Sequence, residues 1–321
     1  MTAPAATDGL PAEFRPQRSR ADIIFRGVLM ACAGSVLAII LGILFFLSLR
    51  SRLAWDHRGF GTLTGTLWSP SQRVYGLRGD LIGSVVIAVV ALLLAAPIAI
   101  AVSLAINEYL PLRLRPPMVA LVDLLAAVPS LIYGLWGLYF LNGHLFLLSK
   151  WLGHHGAAFP LFRLVSGAPT QQSEFDAGVV VAVMILPLMT SISREIMSQV
   201  PREDCEAALA LGGTRWGMIV DVVLPFSRNG VISGALLAFG RALGETIAVA
   251  FVLGQTSVVT SHILNQGGGS MSAAIANYFA GSSKLEQSSL TLGALALFVG
   301  TLSVGVLARL TVARTARKAA R

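Results

Sequence analysis

Arg241 and Glu245 stand four residues apart in "FGRALGETIAVAFVLG", residues 239–254, a stretch otherwise apolar enough to cross a bilayer. Each charge in hydrocarbon costs about 2.5–3.5 kcal/mol on insertion scales, so an intramembrane pair points to function. A guanidinium presents N–H donors in a planar fork that matches the oxygens of a tetrahedral anion. A nearby carboxylate offers the cation another partner once the anion leaves, which keeps binding from becoming a trap. On a rise of 1.5 Å per residue from Arg228, Arg241 lies roughly 20 Å into the bilayer and Glu245 about 6 Å further. At i, i+4 on one continuous helix the two share a face and pair. Desolvation costs several kcal/mol per ion, so that face meets a partner helix or a wet path rather than lipid. Two roles fit: the pair conducts an anion, or it locks two membrane subunits together.

Other polar groups offer less chemistry. His154 and His155 are adjacent in a segment with no further ligand spacing, which reads as solvated loop rather than metal site. Ser130 and Ser191 have no G-x-S-x-G elbow around them, and no H-E-x-x-H occurs. "NQGGGS" at 265–270 could cradle a phosphate through backbone amides, but reads more simply as a flexible connector. The three lysines, Lys150, Lys284 and Lys318, never follow a glycine, so the chain has no G-x-x-x-x-G-K-[ST] loop.

The elements that must position Arg241 are membrane helices. Of 321 residues, 55% are hydrophobic and 12% charged, against about 25% charged in soluble domains. Residues 27–49, 81–107, 124–149, 177–193 and 287–308 carry no Asp, Glu, Lys or Arg, and 229–254 is interrupted only by Arg241 and Glu245. A spanning helix needs roughly 20 apolar residues, which predicts six spans and an all-α membrane protein. Pro97, Pro129 and Pro187 fall inside spans two, three and four, where kinks are tolerated. Trp55, Trp68 and Tyr75 suit an interfacial belt. Asp123 reads as an interfacial charge, and 142–176 as an outer loop.

With both termini in the cytoplasm, the inner segments hold fifteen of the 24 Lys and Arg and the outer loops eight, Arg241 being the last. That asymmetry favours cytoplasmic termini. The first outer segment, with five arginines, runs against it. The net charge of +8 is thus mostly an orientation signal, and no basic stripe interleaved with aromatics suggests nucleic-acid binding. Cys32 and Cys205 lie in different compartments and do not pair. Residues 1–22 read as a disordered cytoplasmic tail, 23–80 as the first helix with an outer segment, 81–310 as a five-helix core, and 311–321 as a basic tail.

The inner loop "PREDCEAALALGGTRWGMIVDVVLP", 201–225, predicts a short, sharply ended helix. Pro201 suits a first helical position. Glu203, Asp204 and Glu206 complement the positive end of the helix dipole. Residues 207–211 are strong helix formers, and Gly212-Gly213 stops them. Its small residues suit close approach by another protein. The loop resembles the signature of ABC importer membrane subunits: E-A-A, three residues, G, nine residues, I, one residue, L-P. Here it reads Glu206-Ala207-Ala208, Gly212 and Leu224-Pro225, with Val222 in the isoleucine position. "GRALGET" narrows the resemblance to permeases of phosphate importers, the PstC and PstA family, with the Arg-rich tail and long outer segment nearer PstC.

The resemblance, which covers roughly residues 20–310, implies the type I ABC permease fold in a bacterial inner membrane. It implies that Arg241 and Glu245 lie on the translocation path, and that Glu206, Ala207, Ala208, Gly212, Leu224 and Pro225 couple to a separate ATPase. The implied partners are a PstA-like second permease, a PstB-like ATPase dimer and a PstS-like extracytoplasmic phosphate-binding protein. ATP and Mg would be used on the ATPase, with no cofactor on this chain. A permease for sulfate or molybdate, and a stand-alone secondary transporter, remain alternatives.

Overall fold

The charge-free runs are helical apart from a break at 127–129 in the third, and most of the helices extend beyond them. The computed structural model describes residues 20–156, 162, 172–253 and 262–319. The tail over 1–19 and Arg163 lie outside the described residues. Helix α1 (Arg20–Arg50) is apolar on all sides and buries no residue, the pattern of a helix in lipid. It begins at Arg20, so residues 20–22 are helical rather than part of a disordered tail.

The remainder packs as one unit from Arg50 onward. Helices α2 (Arg52–Arg58) and α3 (Phe60–Thr64) lead into a small antiparallel hairpin, β1 (Trp68–Ser69) with β2 (Val74–Tyr75). The Ser288 hydroxyl donates to Arg50 O at 2.9 Å and accepts from Ala54 N at 2.9 Å, tying this segment to the core. Tyr75 is buried, and Trp68 packs against Tyr75 and Tyr278 at 5.1 and 5.9 Å. Those two aromatics are therefore tertiary contacts rather than a lipid-facing belt.

Long helix α4 (Arg78–Leu104) continues through a π-helical turn at Ala105–Tyr109. Next come α5 (Arg115–Ala126), α6 (Ser130–Trp136), a π-turn at Gly137–Leu141 and α7 (Asn142–His155). Then follow α8 (Glu174–Ser198), α9 (Arg202–Ala210) and α10 (Arg215–Met218). A third π-turn, Ile219–Val223, joins α10 to α11 (Leu224–Leu243), and α12 (Ile247–Val252), α13 (Met271–Tyr278) and α14 (Lys284–Ala319) complete the chain. Six stretches are long and apolar enough to cross a membrane: Arg20–Arg50, Arg78–Tyr109, Ser130–His155, Glu174–Ser198, Arg215–Leu243 and Lys284–Val306. Helix α14 runs on to Ala319, so the basic terminal segment continues the last span.

The core is α4 packed on α8. Ala88, Ala91, Ala95 and Ala99 are fully buried at helical spacing, facing Ala177, Val181, Ile185 and Met189. A Cβ on Gly178 would stand 2.6 Å from Val90, so the missing side chain permits the approach. Small residues at helix crossings are what association in lipid requires, because hydrophobic burial supplies no drive there. Ser103 donates to Thr190 O at 3.0 Å and Asn107 to Arg194 O at 2.9 Å, fixing the same pair of helices further along. Such bonds are worth about 0.6 kcal/mol each on average in a membrane bundle.

The third span differs from expectation. Pro129 sits at the start of α6, lacks an N–H and pushes its predecessor out of helical geometry, so α5 is a separate helix. The span then continues through Lys150 to His155. Residues 142–155, read from sequence as outer loop, are its final turns. His155 stays on the surface, with Nδ1 3.1 Å from Trp151 O, and no group of His, Cys, Asp or Glu among the described residues could hold a metal.

Candidate functional site

The predicted fifth helix is not continuous. Helix α11 ends at Leu243, residues 244–246 are non-helical, and α12 starts at Ile247. Arg241 closes α11 while Glu245 lies in the break, so the expected i, i+4 face does not exist. The two form no ion pair, and Arg241 pairs with no carboxylate among the described residues. Glu245 instead turns toward α12, where Oε1 accepts from Ala248 N at 3.3 Å, and its own carbonyl accepts from Ser272 Oγ at 2.7 Å. A carboxylate at the first turn of α12 complements the dipole there.

Arg241 is exposed on the wall of a groove of about 730 Å³. Helix α11 contributes Ser233, Gly240 and Arg241, and α14 contributes Thr301, Gly305 and Arg309; leucines of α8 and α11 supply the apolar wall. The guanidinium also lies within coulombic range of the Tyr133 hydroxyl, on α6. Ser233, Thr301, Arg309 and Tyr133 were not singled out from sequence. Nothing local distinguishes them, and Arg309 looks like one more orientation charge. Asp123 is exposed, as expected of an interfacial charge, and accepts from Ser191 Oγ at 3.1 Å.

The glycine-rich loop is a second departure. Gly267 and Gly268 are buried and take φ of 127° and 81°, conformations that favour glycine. A Cβ on Gly268 would collide with the Glu174 carboxyl, one on Gly269 with Asp80, and one on Gly83 with Gly269 O and Glu174 Oε1. Asp80 and Glu174, 6% and 4% exposed and within coulombic range of each other, are thus enclosed by backbone. Met271 N donates to Ser84 Oγ at 2.9 Å and anchors the end of the loop. Far from a flexible connector, 267–270 is a packed clamp. Sequence alone gave no sign of it, because Asp80 and Glu174 are distant in the chain.

The loop 201–225 forms the helix its residues predict. Pro201 is at the N-cap rather than inside. Gly212 takes φ of 86° and Gly213 N donates to Ala208 O at 3.2 Å, a glycine-dependent C-terminus. Cys205 and Ala208 seat α9 against Met197, Met218, Ile219 and Val223, while Glu206, Ala207 and Leu211 face outward, Leu211 at 91% exposure. Partial burial, with Glu108, Asp204 and Glu206 nearby, raises the Cys205 thiol pKa. Thr214 caps α10 by accepting from Gly217 N at 3.1 Å. Leu224 packs in that same cluster, and Pro225, with no N–H to give, stands where the π-turn passes into α11. An exposed helix on a packed seat and a helix break beside an open, arginine-bearing groove suit a membrane transport subunit.

Residues 97–317 match the model of the binding-protein-dependent transport system inner membrane component. The chain belongs to that family. It is a multi-pass permease subunit of the bacterial inner membrane. It is 37% identical over 302 residues to the phosphate transport system permease protein PstC of Xylella fastidiosa strain 9a5c, covering 94% of this chain and 93% of that one. It is 36% identical to PstC 2 of Mycobacterium tuberculosis strain H37Rv, covering 96% and 97%. A crystal structure of a bacterial ABC transporter that imports the acidic polysaccharide alginate shares the fold, at 16% identity and TM-score 0.60 over 93% of this chain and 99% of that one. The resemblance to ABC permeases read from 201–225 is borne out, as is the six-span helical fold.

Proposed function

We propose that this permease subunit carries phosphate inward as part of an ATP-driven complex, with Arg241 as the intramembrane group that receives the anion. The observation that carries the reading is an arginine with no carboxylate partner among the described residues, on the wall of an open groove at the end of α11. An oxyanion would supply the missing partner through charge-assisted bonds of the guanidinium fork. Glu245 acts differently from a direct counter-ion. It caps α12 across the break, so it holds the two half-helices in register and sets where Arg241 points. The relatives named for phosphate transport support phosphate over sulfate or molybdate.

The outward face of α9, with Glu206, Ala207 and Leu211, seated through Ala208 and ended by Gly212, is the surface for a separate PstB-like ATPase dimer, which uses ATP and Mg. Leu224 and Pro225 tie that helix to α11, and so to Arg241. A PstA-like permease completes the path, a PstS-like protein delivers phosphate from outside, and both termini are cytoplasmic. A related structure, an alginate transporter complexed with a periplasmic protein, supports delivery of that kind.

Uptake of labelled phosphate by the reconstituted complex tests this. Arg241→Ala is expected to lower uptake by about two orders of magnitude, as loss of charge-assisted contacts worth about 3 kcal/mol does, while the ATPase still co-purifies. Glu206→Lys, assayed alongside, is expected to release the ATPase. Wild-type uptake by Arg241→Ala would remove the role assigned to the arginine.

A further inference from the structure

The groove at Arg241 holds a second guanidinium. Arg309 of α14 lines the same volume of about 730 Å³, and no carboxylate among the described residues lines it. Helices α11 and α14 pack against each other and, as the fifth and sixth spans, run in opposite directions. Eight residues separate Ser233 from Arg241 and eight separate Thr301 from Arg309, so each pair spans about 12 Å along its helix. Antiparallel packing therefore sets Thr301 near the level of Arg241 and Arg309 near the level of Ser233. The groove has one arginine towards each end.

Between them the lining offers little to stop an anion. Ser233 Oγ donates to Asn229 O at 2.9 Å and Thr301 Oγ1 to Phe298 O at 2.8 Å, so both hydroxyl protons are turned back to their own helices. A Cβ on Gly240 or Gly305 would meet nothing within 4 Å, so the space beside each glycine is open. Arg241 and Arg309 are thus the charged donors of a groove that is otherwise apolar or already satisfied.

We infer that Arg309 is a second oxyanion station, taking a tetrahedral anion from Arg241 and presenting it at the opposite end of the groove. The inference rests on reading the groove as the anion path. Two forks separated by a weakly binding stretch let each hold the anion briefly without trapping it. A lone deep arginine would otherwise have to release its anion directly across the apolar remainder of the groove. A phospholipid headgroup carries the same chemistry as free phosphate, and the test separates the two.

The complete complex, with its partner permease, ATPase and binding protein, is reconstituted in vesicles with and without anionic phospholipid. Phosphate uptake and binding-protein-stimulated ATP hydrolysis are measured for the wild type, Arg309→Gln, Arg309→Lys and Arg228→Gln. Arg228 is an exposed arginine of α11 that does not line the groove. Expected are an approximately tenfold loss of uptake in the Gln variant and about threefold in the Lys variant, since lysine keeps the charge but loses the fork. Stimulated hydrolysis persists in both, and Arg228→Gln stays within about twofold of wild type. Wild-type uptake in either Arg309 variant overturns the inference. So does an equal loss in Arg228→Gln, or a loss that vanishes without anionic lipid. If the wild-type complex carries sulfate or molybdate and not phosphate, the substrate reading fails by itself. The same comparison with that anion still decides Arg309.

Discussion

Asp80 and Glu174 lie 6% and 4% exposed beneath a glycine loop, whereas Arg241 stands exposed along an open groove of about 730 Å³. Both regions put charge into apolar spans, and the fold treats them oppositely. Around the carboxylates Gly83, Gly268 and Gly269 bring backbone within contact distance, so nothing enters unless the loop moves. Around the arginine Gly240 and Gly305 leave space, and the nearest acidic residue in sequence, Glu245, is turned to another helix. An enclosed charge fixes structure; an accessible one can exchange partners. On that contrast rest the proposal of an anion path in the groove and the packing role of the clamp.

The largest effect that would break the comparison comes from glycine substitution. Gly83→Val places a side chain against Gly269 O and Glu174 Oε1 and is expected to cost about 3 kcal/mol or more through overpacking. It would therefore sharply reduce the yield of folded protein, while Gly240→Ala, with open space, leaves thermal stability within about 0.5 kcal/mol. Equal yields and melting temperatures for the two would mean that the clamp is looser than it looks.

A smaller effect separates enclosed from exchangeable charge. Glu174→Gln removes an ionisable carboxyl buried beside Asp80 without removing its volume and is expected to leave stability unchanged or raise it by about 1 kcal/mol. A melting temperature several degrees lower would show that the carboxylate has a partner the comparison does not include. The smallest effect belongs to Glu245→Gln. The amide oxygen can still accept from Ala248 N, so only the charge and its dipole term, about 0.3–1 kcal/mol, are lost. Uptake should fall no more than about fivefold. A loss as deep as that of Arg241→Ala would restore Glu245 as a direct counter-ion of the arginine.

Much of this was legible in the residues themselves. Charge-free runs of membrane length became helices because an isolated backbone in lipid must satisfy its own hydrogen bonds, a requirement local to each segment. The stop at Gly212 was legible for the same reason: only a residue without a Cβ takes that φ cheaply. The length of the third span was harder, since Pro129 could kink a helix or end one, and only its neighbours decide which. Arg241 was recognisable as an unusual charge, but its relation to Glu245 was not, because i, i+4 pairing holds only while the helix continues.

By itself, the sequence determined the six spans, the short loop helix stopped at Gly212 and the presence of a cation in the fifth apolar run, all consequences of short-range chemistry. Only the tertiary structure decided that α11 breaks at 244–246, that Arg309 shares a groove with Arg241, and that 267–270 closes over Asp80 and Glu174. Those facts depend on which distant segments pack together, and in lipid that choice is made by close surface fit between helices rather than by hydrophobic burial that a pattern of residues would reveal.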